Sequence, residues 1–98
     1  MNIKIIKKSL LTNKMRISSH AKEKMFSRGY YKRDIISCIM SGAITSKQFI
    51  KNQIRYVIEG VDDDGYPMVV IVGKHSIHQY LLIITIMPPI SKKYRRVI

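Results

Sequence analysis

The apolar residues change period once along this 98-residue chain, at Gly42. Before it they recur every three or four positions, as on one side of a helix. After it they alternate, as on one side of a strand. A chain that places its helices first and its strands afterwards, with hairpin-length turns between them, folds as an α+β domain and not as alternating βαβ units. The expected architecture is two to three N-terminal helices packed on a four-stranded antiparallel sheet. One modest core is available at this length, burying roughly 60–65% of the unfolded surface, which excludes a doubly wound nucleotide-binding sheet or a TIM barrel. A single domain is expected over residues 1–98, with 90–98 a basic tail that is an edge strand or disordered.

The first helix is expected over residues 2–13, where Ile3, Ile6 and Leu10 share a face, although Ile3, Ile5 and the lysines around them also fit a strand. The second runs from a Ser18 or Ser19 cap to Arg28 and stops at Gly29, with Glu23 placed to close a capping box. Ala21, Met25 and Phe26 are its core-facing residues. The third starts near Lys32, buries Ile35, Ile36, Ile39 and Met40, and ends at Gly42.

Strands are expected over 43–49, 54–60, 66–73 and 79–87, with Ile54, Tyr56 and Ile58 on one face of the second. The fourth is apolar on both sides and belongs inside the sheet. Asp62-Asp63-Asp64-Gly65 reads as a turn, because Asp tolerates turn geometry and Gly supplies a positive φ. Lys74 to His78 reads as another. No run approaches the roughly 20 apolar residues of a spanning helix, and no apolar stretch follows the N-terminal lysines as in a signal peptide. A soluble, cytoplasmic protein is the expectation, with membrane-surface attachment through the first helix as the lesser alternative.

Charge narrows the partner. Eighteen Lys and Arg face six Asp and Glu, for a formal net charge of +12. The acids all lie between Glu23 and Asp64, so both chain ends are purely basic. Such a surface is either merely well solvated or a phosphate-binding face that takes nucleic acid. Arg55, Lys74, Lys92, Lys93, Arg95 and Arg96 are the candidate contacts to it.

Chemistry concentrates on the second helix. At about 100° per residue, His20, Lys24 and Arg28 share an arc of roughly 80°. One helix thus presents an imidazole, an ammonium and a guanidinium in a row. His20 sits in the first turn, where the helix dipole disfavours a positive imidazolium, and a neutral imidazole is what a general base requires. Arg28 is suited to fork a phosphate. The plainer reading makes His20 a capping or packed polar residue, Lys24 a solvated side chain and Arg28 a partner of Glu59 or Asp34.

Other groups carry less. His75 and His78 lack the cysteines and acids of a metal site, and the Asp62–Asp64 loop lacks the downstream glutamate of a calcium loop. No metal or other cofactor is implied. Cys38, the single cysteine, lies among Ile35, Ile39 and Met40 and reads as an inert buried thiol. The six tyrosines could stack bases, but read mostly as core or rim residues.

The run from Ile17 to Gly29, with its Ser-Ser-His-Ala start and Arg-Gly end, resembles the S-x-H-A-x-x-R-M-x-x-R-G opening of the small prokaryotic family of unknown function DUF4258. The resemblance continues through Asp34-Ile35, Ser41-Gly42-Ala43-Ile44, Ile58-Glu59-Gly60, the Asp64–Val70 hairpin and Leu82–Pro89, covering about residues 2–89. It implies a fold similar to the RelE, MqsR and BrnT toxins of toxin–antitoxin pairs. It also implies metal-independent RNA cleavage and an antitoxin as protein partner. His20 and Arg28 are the positions that carry over. The chain departs from the pattern at Lys24, where a second arginine is common, and at Met87, where a tyrosine is common. On this basis the chain is a toxin-like ribonuclease or, as the alternative, a non-catalytic nucleic-acid-binding or regulatory protein on the same fold.

Overall fold

The computed structural model describes residues 1–74 and 80–89. His75 and His78, and the nucleic-acid candidates Lys92, Lys93, Arg95 and Arg96, lie outside the described residues. The elements follow in the order α1 (Ile3–Leu11), β1 (Met15–Ile17), α2 (Ser19–Arg28), α3 (Lys32–Ser41), β2 (Ala43–Ile50), β3 (Gln53–Val61), β4 (Pro67–Lys74) and β5 (Leu81–Met87). The fold is α+β, with three helices and a five-stranded mixed sheet of order β1-β5-β4-β3-β2.

The fifth strand corrects the four-stranded antiparallel expectation. β1 is only three residues long, too short to show a period, and it pairs parallel to β5 through Met15–Leu81, Arg16–Leu82 and Ile17–Ile83. The other three pairings are antiparallel, as expected. β5 is indeed internal, flanked by β4 and β1.

Helix ends follow from local chemistry. Asn2 caps α1, its side-chain oxygen accepting from the Ile5 N–H at 3.0 Å. The Ser18 hydroxyl accepts from the Ala21 N–H at 3.0 Å, and Gly29 closes α2 at φ 72°, a left-handed backbone that favours glycine. With Ser18 as cap, the third helical residue is Ala21, so Glu23 closes no capping box. Asp34 has that role in α3: one carboxylate oxygen accepts from the Tyr31 N–H at 2.7 Å.

All three helices lie on one side of the sheet. Ile6, Ala21, Ile35, Cys38 and Ile39 join Tyr56, Ile58, Val70, Val72, Ile83 and Ile86 in one core. Between these strand residues sit Val57, Val69 and Ile71, which form a second cluster with Ile84 and Met87 on the opposite face. No described helix contributes to that cluster.

Three expected core residues move outward. Phe26 is 93% exposed, because it lies about 140° around α2 from Ala21, which faces the core. In α3, Ile36 and Met40 are 38% and 40% exposed, and Cys38 is buried beside Ile35 and Ile39 instead. Ile54 keeps its place in the alternation with Tyr56 and Ile58, yet is exposed at the strand's outer end.

The close seat of α3 on the sheet depends on Gly60. A Cβ there would run into the Cys38 carbonyl oxygen, which is backbone and cannot swing away. Gly60→Ala should therefore force α3 off β3 and cost about 1–3 kcal/mol by overpacking, read as a lower urea midpoint with an unchanged slope.

No described helix is long and apolar enough to cross a membrane.

Candidate functional site

The site is built where α2 meets the edge of β5. β1 pairs only with the first half of β5, so the carbonyls beyond Ile83 have no strand partner on that side. Residues around α2 supply the donors. The Ser18 N–H extends the ladder to the Ile83 carbonyl at 3.0 Å. The register of β4 against β5 then slips, with Ile71 opposite Thr85 but Val72 opposite Ile83. The bulge leaves Ile84 outside the regular pairs, and its carbonyl accepts from the Ser18 hydroxyl at 3.0 Å. Two residues further on, an Nη1–H of Arg28 donates to the Ile86 carbonyl at 3.0 Å. Ser18 and Arg28 thus pin the two ends of α2 to one strand edge.

This clamp sets the expected triplet. His20, Lys24 and Arg28 fall one turn apart along α2. His20 is exposed in the first turn, Lys24 is half-buried, and Arg28 is exposed apart from the N–H it gives to Ile86. Arg28 pairs with neither Glu59 nor Asp34, the partners first considered. Its other N–H groups remain for an anion, because a guanidinium carries five donors. The row therefore offers an imidazole and two cations to solvent, one of them held in place by the strand.

The strand candidates sit elsewhere. Arg55 follows the register row Arg16–Leu82–Gly73–Arg55, on the face away from the helices. It is two strands from β5, about 10 Å by strand spacing. Its Nε is buried without a hydrogen-bond partner among the described residues, a costly state for a charged donor. Arg16, which shares this face, stacks its guanidinium 4.2 Å over the Tyr80 ring. Lys74, expected in a turn, is the last residue of β4. It lines a cleft of about 300 Å³ with Met1, Ile5 and Ser9 of the α1 region. Neither Arg55 nor Lys74 therefore joins the α2 row.

The chain matches the family model described as a domain of unknown function, DUF4258, over residues 17–88. The chain belongs to this family. No curated protein and no solved structure matches the chain. The DUF4258 match opens at Ile17, so it contains Ser18, the α2 row and the whole of β5, while α1 precedes it.

Two further features of this DUF4258 domain bear on function. The Asp62–Gly65 segment is a turn, as expected: the Asp62 carboxylate accepts from the Asp64 and Tyr66 N–H groups at 2.9 Å each, and Gly65 has φ 88°. Among the described residues no group of His, Cys, Asp and Glu is arranged to hold a metal. Asp34, only 6% exposed, ties this turn to α3, accepting from the Asp63 N–H at 3.0 Å as well as from Tyr31.

The second feature is a groove that the sequence reading missed. Lys22, Met25, Phe26, Gly29, Tyr30 and Tyr31 enclose about 550 Å³ between α2 and the start of α3. Helical angle was the signal that could have found it, since Phe26 lies too far around α2 from Ala21 to reach the core.

Cys38 is no nucleophile. Burial pushes its thiol up to about 12, and its Sγ–H donates to the Met68 carbonyl at 3.3 Å. The native protein should resist a thiol-specific reagent at pH 8 and react at once when unfolded in guanidinium. A raised thiol pKa stabilises the fold fully below about pH 9, the unfolded value, and that contribution is lost as the pH rises towards about 12.

Ser18→Ala removes both the cap of α2 and the donor to Ile84. It should cost about 1–2 kcal/mol in chemical denaturation, with Ser18→Thr recovering most of it.

Proposed function

We propose that this protein is a metal-independent, toxin-like endoribonuclease of a toxin–antitoxin pair, acting in the cytoplasm, with an antitoxin as its protein partner. One observation carries the reading: an exposed imidazole shares a helix row with two cations, and the last of these is fixed to β5 at the Ile86 carbonyl. The net charge of +12 suits a polyanionic substrate. The reaction class comes from the similarity of fold to the RelE, MqsR and BrnT toxins that the family resemblance implies.

In this reading His20 removes the proton from a ribose 2′-hydroxyl. The 2′-oxygen attacks the adjacent phosphorus, the bond to the 5′-oxygen breaks, and the departing oxygen takes a proton from water. The products are a 2′,3′-cyclic phosphate and a 5′-hydroxyl. Lys24 and Arg28 offset the charge that builds on the phosphoryl oxygens. Arg28 is suited to this because the strand contact fixes its fork before substrate arrives, so less side-chain freedom is lost on binding. Arg55 and Lys74 contribute phosphate contacts away from the reacting bond. Lys92, Lys93, Arg95 and Arg96 extend the basic footprint in sequence.

A second reading, a non-catalytic nucleic-acid-binding or regulatory protein, is favoured by two facts. Arg28 already spends a donor on the fold, and Met87 stands where the motif commonly has a tyrosine.

His20→Ala separates the two. Incubated with a single-stranded RNA in the presence of EDTA, the wild type should generate cyclic-phosphate ends, and His20→Ala should cut about 10²–10⁴-fold more slowly. Circular dichroism should be unchanged, since His20 is exposed. RNA binding with no cleavage by either protein would give the case to the second reading.

A further inference from the structure

We propose that the groove between α2 and α3 is a stacking site for an unpaired base of single-stranded RNA, with Phe26 as its platform. The inference rests on the nucleic-acid reading above and names which form of nucleic acid the domain takes.

Phe26 carries the first part. An aromatic ring at 93% exposure gains nothing from the core, and nothing in the local helix needs it. α2 would form as well with a polar residue there, since both of its ends are capped by other groups. The ring is not isolated. Met25, Tyr30 and Tyr31 line the same groove, and its volume of about 550 Å³ falls in the range of small-ligand clefts, roughly 300–1,000 Å³. Tyr31 is 59% exposed, so two aromatic surfaces face solvent around one recess.

The walls are held rather than loose. Asp34 fixes the Tyr31 backbone from below, and Gly29 turns the chain sharply between Phe26 and Tyr31. Arg33 stacks its guanidinium 4.6 Å over the Tyr31 ring while its Nε–H pairs with Asp63 at 3.3 Å.

Charge selects the occupant. Among the described residues Lys22 is the one charged member of the lining, and it is positive. An apolar ligand without charge would not use it, and a basic one would be repelled. A flat aromatic group joined to an anion satisfies both the rings and the ammonium, which describes a nucleotide with its base free of a duplex. A paired base offers no open face, so the groove discriminates single strands from duplexes. The cationic row and the groove also share a helix. Arg28 and Phe26 lie about 160° apart around the axis of α2, so a strand that sets a phosphate at one and a base at the other wraps the last turn of the helix.

The chain has no tryptophan, so Phe26→Trp introduces a single reporter at an exposed position that folding does not depend on. Fluorescence of this variant is titrated with a 12-nucleotide single-stranded RNA, the matching duplex, an abasic oligonucleotide of equal length and an acidic peptide. Affinity of wild type and Phe26→Ala for each is measured in parallel by anisotropy. The single strand should quench the tryptophan saturably, and the abasic chain should bind without quenching. Phe26→Ala should weaken single-strand binding about five- to a hundredfold and leave abasic binding unchanged. Single-strand binding with no quenching and no effect of Phe26→Ala overturns the groove while leaving the nuclease reading standing. No binding of RNA by the wild type overturns both. A tryptophan response to the acidic peptide alone also overturns it and makes the groove a protein-docking surface.

Discussion

The attachment of α2 to the free edge of β5 is the constraint on which the rest of the molecule depends. β1 covers only three residues of that edge. Bare carbonyls beside a packed helix would each cost about 1–3 kcal/mol if left dry and unpaired. Ser18 and Arg28 answer that need with one hydroxyl and one guanidinium, at opposite ends of the helix. The rotation of α2 about its own axis is then fixed. Ala21 goes to the core, His20 and Lys24 fall in line with Arg28, and Phe26 is left in water. One clamp thus sets both the cationic row and the aromatic groove.

The sheet has two unlike faces. Towards the helices it presents a continuous aliphatic surface, and Gly60 lets α3 approach to backbone contact. Away from them it carries a smaller apolar cluster, with Arg16 and Arg55 in one cross-strand row. The acids do not balance these cations. The carboxylates of Asp34 and Asp62 act on the fold itself, organising the turn before β4 and the start of α3, and that of Asp63 pairs with Arg33. With eighteen Lys and Arg against six acids, the net field at the surface is positive.

Much of this was legible in the residues. The change of period at Gly42, the Ser18 cap, the Gly29 and Gly42 stops and the Asp62–Gly65 turn all follow from short-range rules that a few neighbouring residues satisfy. The shared face of Ile54, Tyr56 and Ile58 identified a strand, although Ile54 shows that a face is buried only as far as its neighbours extend. The His20, Lys24 and Arg28 row was legible because helical geometry fixes relative angles. Absolute orientation was not, and Phe26 was therefore misplaced: the periodicity of a weakly amphipathic helix leaves its core-facing direction uncertain by a residue or two.

By itself, the sequence determined the order and type of the main elements, the caps of α2, the net charge and the spacing of the cationic row, because each depends on residues a few positions apart. Only the tertiary structure decided that β1 exists and runs parallel to β5, that Arg28 serves the Ile86 carbonyl, and that Arg55 lies apart from α2. The Ser18–Ile84 bond spans 66 positions, and no local pattern encodes which distant carbonyl is left bare. A bulge in one strand and the shortness of another make that vacancy, and the helix packed beside it fills it.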